Sequence, residues 1–366
     1  MSPASDAEVA FSGYMTGKRQ PQREIVPGID AAAVSEWIGG RVEGVRGPLR
    51  FSAVGNGRSN LTYLAEDEQG AAVIVRRPPL GEALQSAHDV GREHRVLSAL
   101  HPLGQPVPRP LALCEDAAVT GAPFFVMERV PGALVDDAAA AARLDPEPRG
   151  RAGHAVAETL AALHEVDPVA AGLGEMARGD DHAARQLRRW SRQWDACRTR
   201  ELPLVEEVGE RLGAAIPAQP QTTLVHGDYT PNNLLIGPGG EVAAILDWEL
   251  WTLGDPIADL AWLSIWWPAD STRSPLGYEP PSAAAGMARI DKLIVIYCQR
   301  TGRDLDRLRF WTALSYWKLA IIIEGVYRRW LDDPANGGES AGRIRPRADL
   351  MVALALETLE EKEQPA

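Results

Sequence analysis

Short runs with the period of a β-strand fill one stretch of this chain and almost nowhere else. From Leu49 they read LRFSAV, a glycine-containing turn, LTYLAED, then AAVIVRR after the Glu68-Gln69-Gly70 turn. Branched and aromatic residues between tight turns predict two or three antiparallel strands, the third stopped by Pro78 and Pro79. A helix is expected over Asp30 to Ile38 with Asp30 as its N-cap. Another is expected over His88 to Leu100, where Val90, Val96, Leu97 and Leu100 share a face. A proline-rich connector leads to a further strand pair ending in PFFVMERVPG, broken at Pro131-Gly132. Beyond Gly132 the pattern is mainly helical, with one β-like insertion, TTLVHGDYTPNNLLIGPGGEVAAILDWE. The expected fold is α+β: a flexible leader at 1–28, a small β-rich lobe at 29–130 and a larger helical lobe at 131–366. With 366 residues, 45% of them hydrophobic, each lobe can bury a core of its own.

Composition narrows the partners. A formal charge of -12 repels nucleic acid and anionic membrane on average, so neither is expected as a partner. Cys114, Cys197 and Cys298 are far apart and odd in number, which disfavours a disulfide framework or a cysteine zinc site and suits a reducing cytoplasm. No basic segment followed by an apolar one marks the first residues as a secretion signal. The apolar run from Leu314 to Val326 is interrupted by Lys318 and Glu324 and reads as a buried helix. No lysine occurs between Lys18 and Lys292, so a cation doing chemistry in that interval is an arginine or a histidine.

Chemistry concentrates in Leu224 to Leu260, LVHGDYTPNNLLIGPGGEVAAILDWELWTLGDPIADL. Strand-like LLI and AAILD flank a Gly237-Pro238-Gly239-Gly240 turn, which puts Asn233 and Asp247 at opposite ends of one hairpin. Both offer the hard oxygen ligands that Mg2+ takes, the rest of its shell coming from phosphate and water. Asp228, on the loop entering the hairpin, is placed to accept a proton from an attacking hydroxyl.

HGDYTPNN followed by ILDWE resembles the catalytic loop and metal-binding turn of the aminoglycoside phosphotransferase and choline kinase superfamily, relatives of the protein kinases. The resemblance implies a protein-kinase-like fold with its active site between the lobes. It makes Asp228 the catalytic base, Asn233 and Asp247 the metal ligands, His226 a loop-orienting histidine and Asp259 of TLGDPIADL a brace for the loop. A kinase-like small lobe must also cover phosphates, supply a cation and hold a nucleobase. The loop GNGRSNLTY offers Gly55, Gly57, Ser59 and Asn60 for the phosphates. Protein kinases carry a lysine at the end of the third strand, where VIVRR has Arg76 and Arg77. Arg76 occupies the matching position, with Glu93 of REHRVL as its ion-pair partner and Arg77 on the opposite face. FFVMERVPG resembles the adenine hinge, with backbone groups from Glu128 to Val130 at the base and Met127 near the rear of the pocket.

The full set of motifs is most similar to the kinase-like domain associated with acyl-CoA dehydrogenases. That implies transfer of the γ-phosphoryl group of ATP (or GTP), with Mg2+, to a hydroxyl of a small molecule such as a hydroxy acid or hydroxyacyl-CoA. An aminoglycoside or choline-type acceptor is the alternative, and the missing lysine allows a catalytically weak nucleotide-binding regulator. Ten of the eleven tryptophans lie after residue 189. Trp248, Trp251, Trp262, Trp266 and Trp267 follow the metal aspartate, as walls of an acyl pocket, as a cation cage, or as helical core with one or two facing substrate.

Overall fold

The computed structural model describes residues 26–54, 60–80, 89–176, 181–275, 277–332 and 340–361, with side chains described from 345 onward in the last segment. Gly55, Gly57 and Ser59 lie outside these residues, as does most of the expected leader.

Asp30 caps helix α1 (Ala31–Gly39) by accepting from the N–H groups of Ala32 and Ala33 at 3.1 and 3.0 Å. Five antiparallel strands follow: β1 (Arg50–Ala53), β2 (Leu61–Glu66), β3 (Ala72–Arg77), β4 (Pro110–Cys114) and β5 (Phe124–Glu128), in the order β1-β2-β3-β5-β4. The β2–β3 turn is held by Asp67, whose carboxylate accepts from the N–H groups of Gln69 and Ala71, both at 2.9 Å. Helix α2 (Val90–Leu100) begins two residues later than its sequence pattern suggested, because Asp89 caps it through the Arg92 N–H at 3.0 Å.

The two faces of this sheet belong to different cores. Tyr63, Val73, Val75, Phe124 and Val126 pack with Val34 and Ile38 of α1. Phe125 and Met127 pack with Val96, Leu97 and Leu100 of α2, in a core continuous with the helical part of the molecule. Burial on both faces explains why β5 is nearly all apolar instead of alternating.

After the two-residue strand β6 (Ala133–Leu134) come helices α3 (Ala138–Arg143), α4 (Pro146–His164), α5 (His182–Cys197) and α6 (Pro203–Ala214). The β-like insertion forms two small sheets. Strand β7 (Thr223–Val225) pairs with β10 (Thr252–Gly254), while β8 (Leu234–Ile236) and β9 (Val242–Ile245) form the expected hairpin, edged by β6. Helices α7 (Ile257–Trp266), α8 (Ile290–Thr301), α9 (Leu308–Asp332) and α10 (Ser340–Glu360) complete the larger part. Helix α9 is central and buries Lys318 and Glu324 along with its apolar residues. Among the described residues no helix is long and apolar enough to cross a membrane.

Candidate active site

The loop leaving β7 turns sharply at Gly227, where φ is +83° and an added Cβ would stand 2.6 Å from the Leu250 carbonyl oxygen. Only glycine meets both conditions. Asp259, in the first turn of α7, then pins the loop: its carboxylate accepts from the N–H of His226 at 2.6 Å and of Gly227 at 2.8 Å. Behind it, His164 Nε2 lies 3.3 Å from Asp259 and His164 Nδ1 2.8 Å from the Tyr297 hydroxyl. Burial works to raise the Asp259 pKa, yet the His164 hydrogen bond, nearby imidazoles and backbone donors hold it below the usual carboxylate range.

His226 ties this loop to the hairpin. Its Nδ1 accepts from the Asp228 N–H at 3.2 Å and its Nε2 lies 2.9 Å from the Leu246 carbonyl, which assigns the proton to Nε2. Asp228 is held from two sides. Its Oδ1 accepts from the Trp262 indole N–H at 2.8 Å, and its Oδ2 accepts from the Asn233 amide at 2.9 Å. Because the Asn233 nitrogen serves Asp228, the oxygen of that side chain is the atom it could offer a metal.

Asp247 follows β9, and the Leu246 N–H donates to the Asn233 carbonyl at 2.8 Å, so the hairpin ends are clasped together. Asp247 has φ 61° and ψ 66° and is the one non-glycine residue with positive φ among the described residues. That left-handed geometry costs an aspartate of order 1 kcal/mol, a strain of the kind that gathers at functional sites. The carboxylate of Asp247 and the amide oxygen of Asn233 form a hard, incomplete donor set. It fits Mg2+, which completes its shell with phosphate and water.

From the sheet, Arg76 faces this pair. Its Nε donates to Glu93 at 2.9 Å, one terminal nitrogen contacts Asp247, and the other reaches Thr62 at 3.3 Å. Glu93 is 1% exposed; burial pushes its carboxyl up to about 7, against the pull of the Arg76 charge. Glu93 also accepts from the Asn60 amide at 3.2 Å, which ties the residue expected at the phosphates to the Arg76–Glu93 pair. Arg77 points away and donates to the carbonyls of Gly28, Thr120 and Pro78, the last two at 2.8 and 3.2 Å. Arg92 of α2 adds a second tie between the halves, stacking on Trp251 at 4.4 Å and accepting that indole's N–H on its backbone carbonyl at 3.2 Å.

At the hinge, Met127 is buried and the Glu128 N–H donates to the carbonyl of Arg109, the residue before β4, at 2.9 Å. Val130 follows, half-buried. Of the clustered tryptophans, Trp248, Trp251 and Trp267 are core, and Trp262 reaches Asp228. His164 and Lys318 had no place in the sequence reading of the site. For Lys318 the one available signal was that it, with Glu324, interrupts an apolar helix.

The family model described as "Phosphotransferase enzyme family" matches residues 50–311. Acyl-CoA dehydrogenase family member 10 of Mus musculus is 36% identical over 306 residues, covering 81% of this chain and 28% of that protein. Acyl-CoA dehydrogenase family member 11 of Gallus gallus is 36% identical over 321 residues, covering 84% and 41%. The chain thus spans less than half the length of these relatives. A solved structure from Ralstonia eutropha, assigned to the aminoglycoside phosphotransferases, superposes with TM-score 0.75 at 30% identity, covering 92% of this chain and 99% of the other. A choline kinase from Cryptosporidium parvum superposes with TM-score 0.62 at 12% identity, covering 90% and 95%, which shows a shared fold.

Proposed function

Since the chain belongs to the phosphotransferase enzyme family and has its kinase-like fold, we propose that it transfers the γ-phosphoryl group of ATP, or GTP, to a hydroxyl of a small molecule, with Asp228 as base. The carrying observation is the carboxylate of Asp228, fixed between Trp262 and Asn233 beside the clasped Asn233–Asp247 pair and across from Arg76.

In this reading Asn233 and Asp247 hold Mg2+, which when bound neutralises charge on the triphosphate. Arg76 donates to phosphate oxygens, and Glu93 orients it. The backbone from Glu128 to Val130 holds the nucleobase, and Gly55, Gly57 and Ser59 cover the phosphates. Asp228 takes the proton of the acceptor hydroxyl as its oxygen bonds to the γ-phosphorus, and the bond from that phosphorus to the β,γ-bridging oxygen breaks to release the nucleoside diphosphate. His226 and Asp259 are positioning residues, because they hold the loop and not the reacting atoms. The small lobe ends near residue 130, and the catalytic and acceptor-binding lobe follows from 131.

A hydroxy acid or hydroxyacyl-CoA is the acceptor we favour, supported by the acyl-CoA dehydrogenase names of the two curated relatives above. The test is ADP release with MgATP and a panel of hydroxy acids, hydroxyacyl-CoAs, choline and aminoglycosides. Acceptor-dependent release is expected, and Asp228→Asn should lower it ~10²- to 10⁴-fold, the usual share of a general base. An unchanged rate in that variant removes Asp228 from the mechanism.

A further inference from the structure

Behind the catalytic loop lies a small pocket of about 30 Å³, which the phosphoryl-transfer reading leaves unexplained. Gly227 and Trp262 form one wall, so it begins next to Asp228; Asp259, His182, Trp311, Ser315 and Lys318 are also among its lining residues, with Asp259 spending both carboxylate oxygens on the backbone of the loop and on His164. Lys318 is the unusual member. It is 9% exposed and, among the described residues, has no ion-pair partner, although the Asp228 and Asp259 carboxylates lie near enough to favour its charge. Its ammonium has three N–H donors, and its one protein hydrogen-bond acceptor is the Gly227 carbonyl at 3.4 Å. For the rest it faces aromatic rings, 3.8 Å from the centre of Trp262 and 5.5 Å from that of Trp190.

A buried ammonium so poorly paired is costly in the free protein and is a feature of binding sites. Burial pulls the Lys318 pKa down to about 8, with Asp228 acting against that shift, so the group stays mainly charged at neutral pH. More positive charge stands near: Arg189 stacks on Trp190 at 5.3 Å, and Arg185 on the same helix donates to the Leu253 carbonyl at 2.9 Å.

We propose that this pocket binds the carboxyl-group oxygen of the acceptor, a free carboxylate or a thioester carbonyl, on the Lys318 ammonium, and rejects acceptors with an amine there. The inference rests on the reading of Asp228 as the base. Trp262 makes the geometry productive: one indole donates to Asp228 through its N–H and carries Lys318 on its face, so both groups address one small ligand. An amine in contact with the Lys318 ammonium meets a charge of its own sign, which disfavours aminoglycosides and choline.

Four acceptors of one carbon length test this: 4-hydroxypentanoate, its CoA thioester, 1,4-pentanediol and 5-amino-2-pentanol. The acid or the thioester should exceed the diol in kcat/KM by roughly tenfold to a hundredfold, the worth of a hydrogen bond to a charged group, and the amine should be worst. Whichever of the first two is preferred identifies the oxygen. Lys318→Met should erase that margin and Lys318→Arg should keep part of it, with MgATP-induced thermal stabilisation reporting that each variant folds. The inference is overturned if diol or amine is used as well as the acid and thioester, if neither of these is phosphorylated, or if folded Lys318→Met keeps the preference. Failure of the underlying reading looks different: Asp228→Asn would then leave turnover of every acceptor unaltered.

Discussion

The two halves of the cleft are held by different means. On the helical side, each group near the chemistry is fixed by its own lobe: Asp259 grips two backbone N–H groups, His226 bridges loop and hairpin, and Asp228 sits between Trp262 and Asn233. On the sheet side, one guanidinium, that of Arg76, spans from Glu93 in its own half to Asp247 in the other. The first half fixes its own groups, and the second, besides the shared apolar core and the Arg92–Trp251 tie, reaches the site through one charge. Damage to the first should therefore cost fold and turnover together, whereas damage to the clamp should act mainly on nucleotide binding.

The largest effect is expected from Asp259→Ala. It leaves two buried N–H groups and His164 without their acceptor, and should cost about 3–5 kcal/mol in chemical denaturation and at least ~10² in kcat. A stable, active variant would show that the loop holds its shape unaided and would break the contrast. Arg76→Lys comes next. A single ammonium cannot reproduce the forked contact to Glu93 and Asp247, so nucleotide affinity by calorimetry should fall about tenfold, with a smaller loss of stability. Equal affinity would mean that the clamp is not a phosphate site.

Much of this arrangement was legible in the sequence, and what was not has a common cause. Turns and caps are local, so Asp30, the β2–β3 turn and the β8–β9 hairpin could be read from a few adjacent residues. The assignment of Arg76 and Arg77 to opposite faces followed from strand alternation, and the contacts of the two side chains obey it. Long-range pairings were another matter. Nothing in HAVAETLAALHEVD places His164 under Asp259, and an interrupted apolar run does not say that Lys318 meets Trp262 across two helices. The Asn60 amide went to Glu93 for the same reason: a buried carboxylate collects donors that its sequence neighbours do not reveal.

Titration separates the halves again. Glu93 has its folded pKa raised from 4.5 to about 7, so between these values the native state binds more protons and stability falls as pH rises. Lys318 has its pKa lowered from 10.5 to about 8, so in that window the unfolded chain binds more protons and stability rises with pH. Denaturation of Glu93→Gln should flatten the first slope and that of Lys318→Met the second, each against the native chain. The absence of either slope would place that group in solvent with an unshifted pKa. The smallest effect belongs to Arg77→Lys, which should lower stability by ~1–2 kcal/mol through lost backbone contacts and leave nucleotide affinity unchanged.

The account stands or falls on where nucleotide and metal meet. Crystals grown with Mn2+ and a non-hydrolysable ATP analogue give that position from the anomalous signal of the metal. The peak should lie at bonding distance from the Asn233 amide oxygen and the Asp247 carboxylate, with the terminal phosphate between Asp228 and Arg76. A metal peak away from both side chains, or a nucleotide bound outside this cleft, would contradict it.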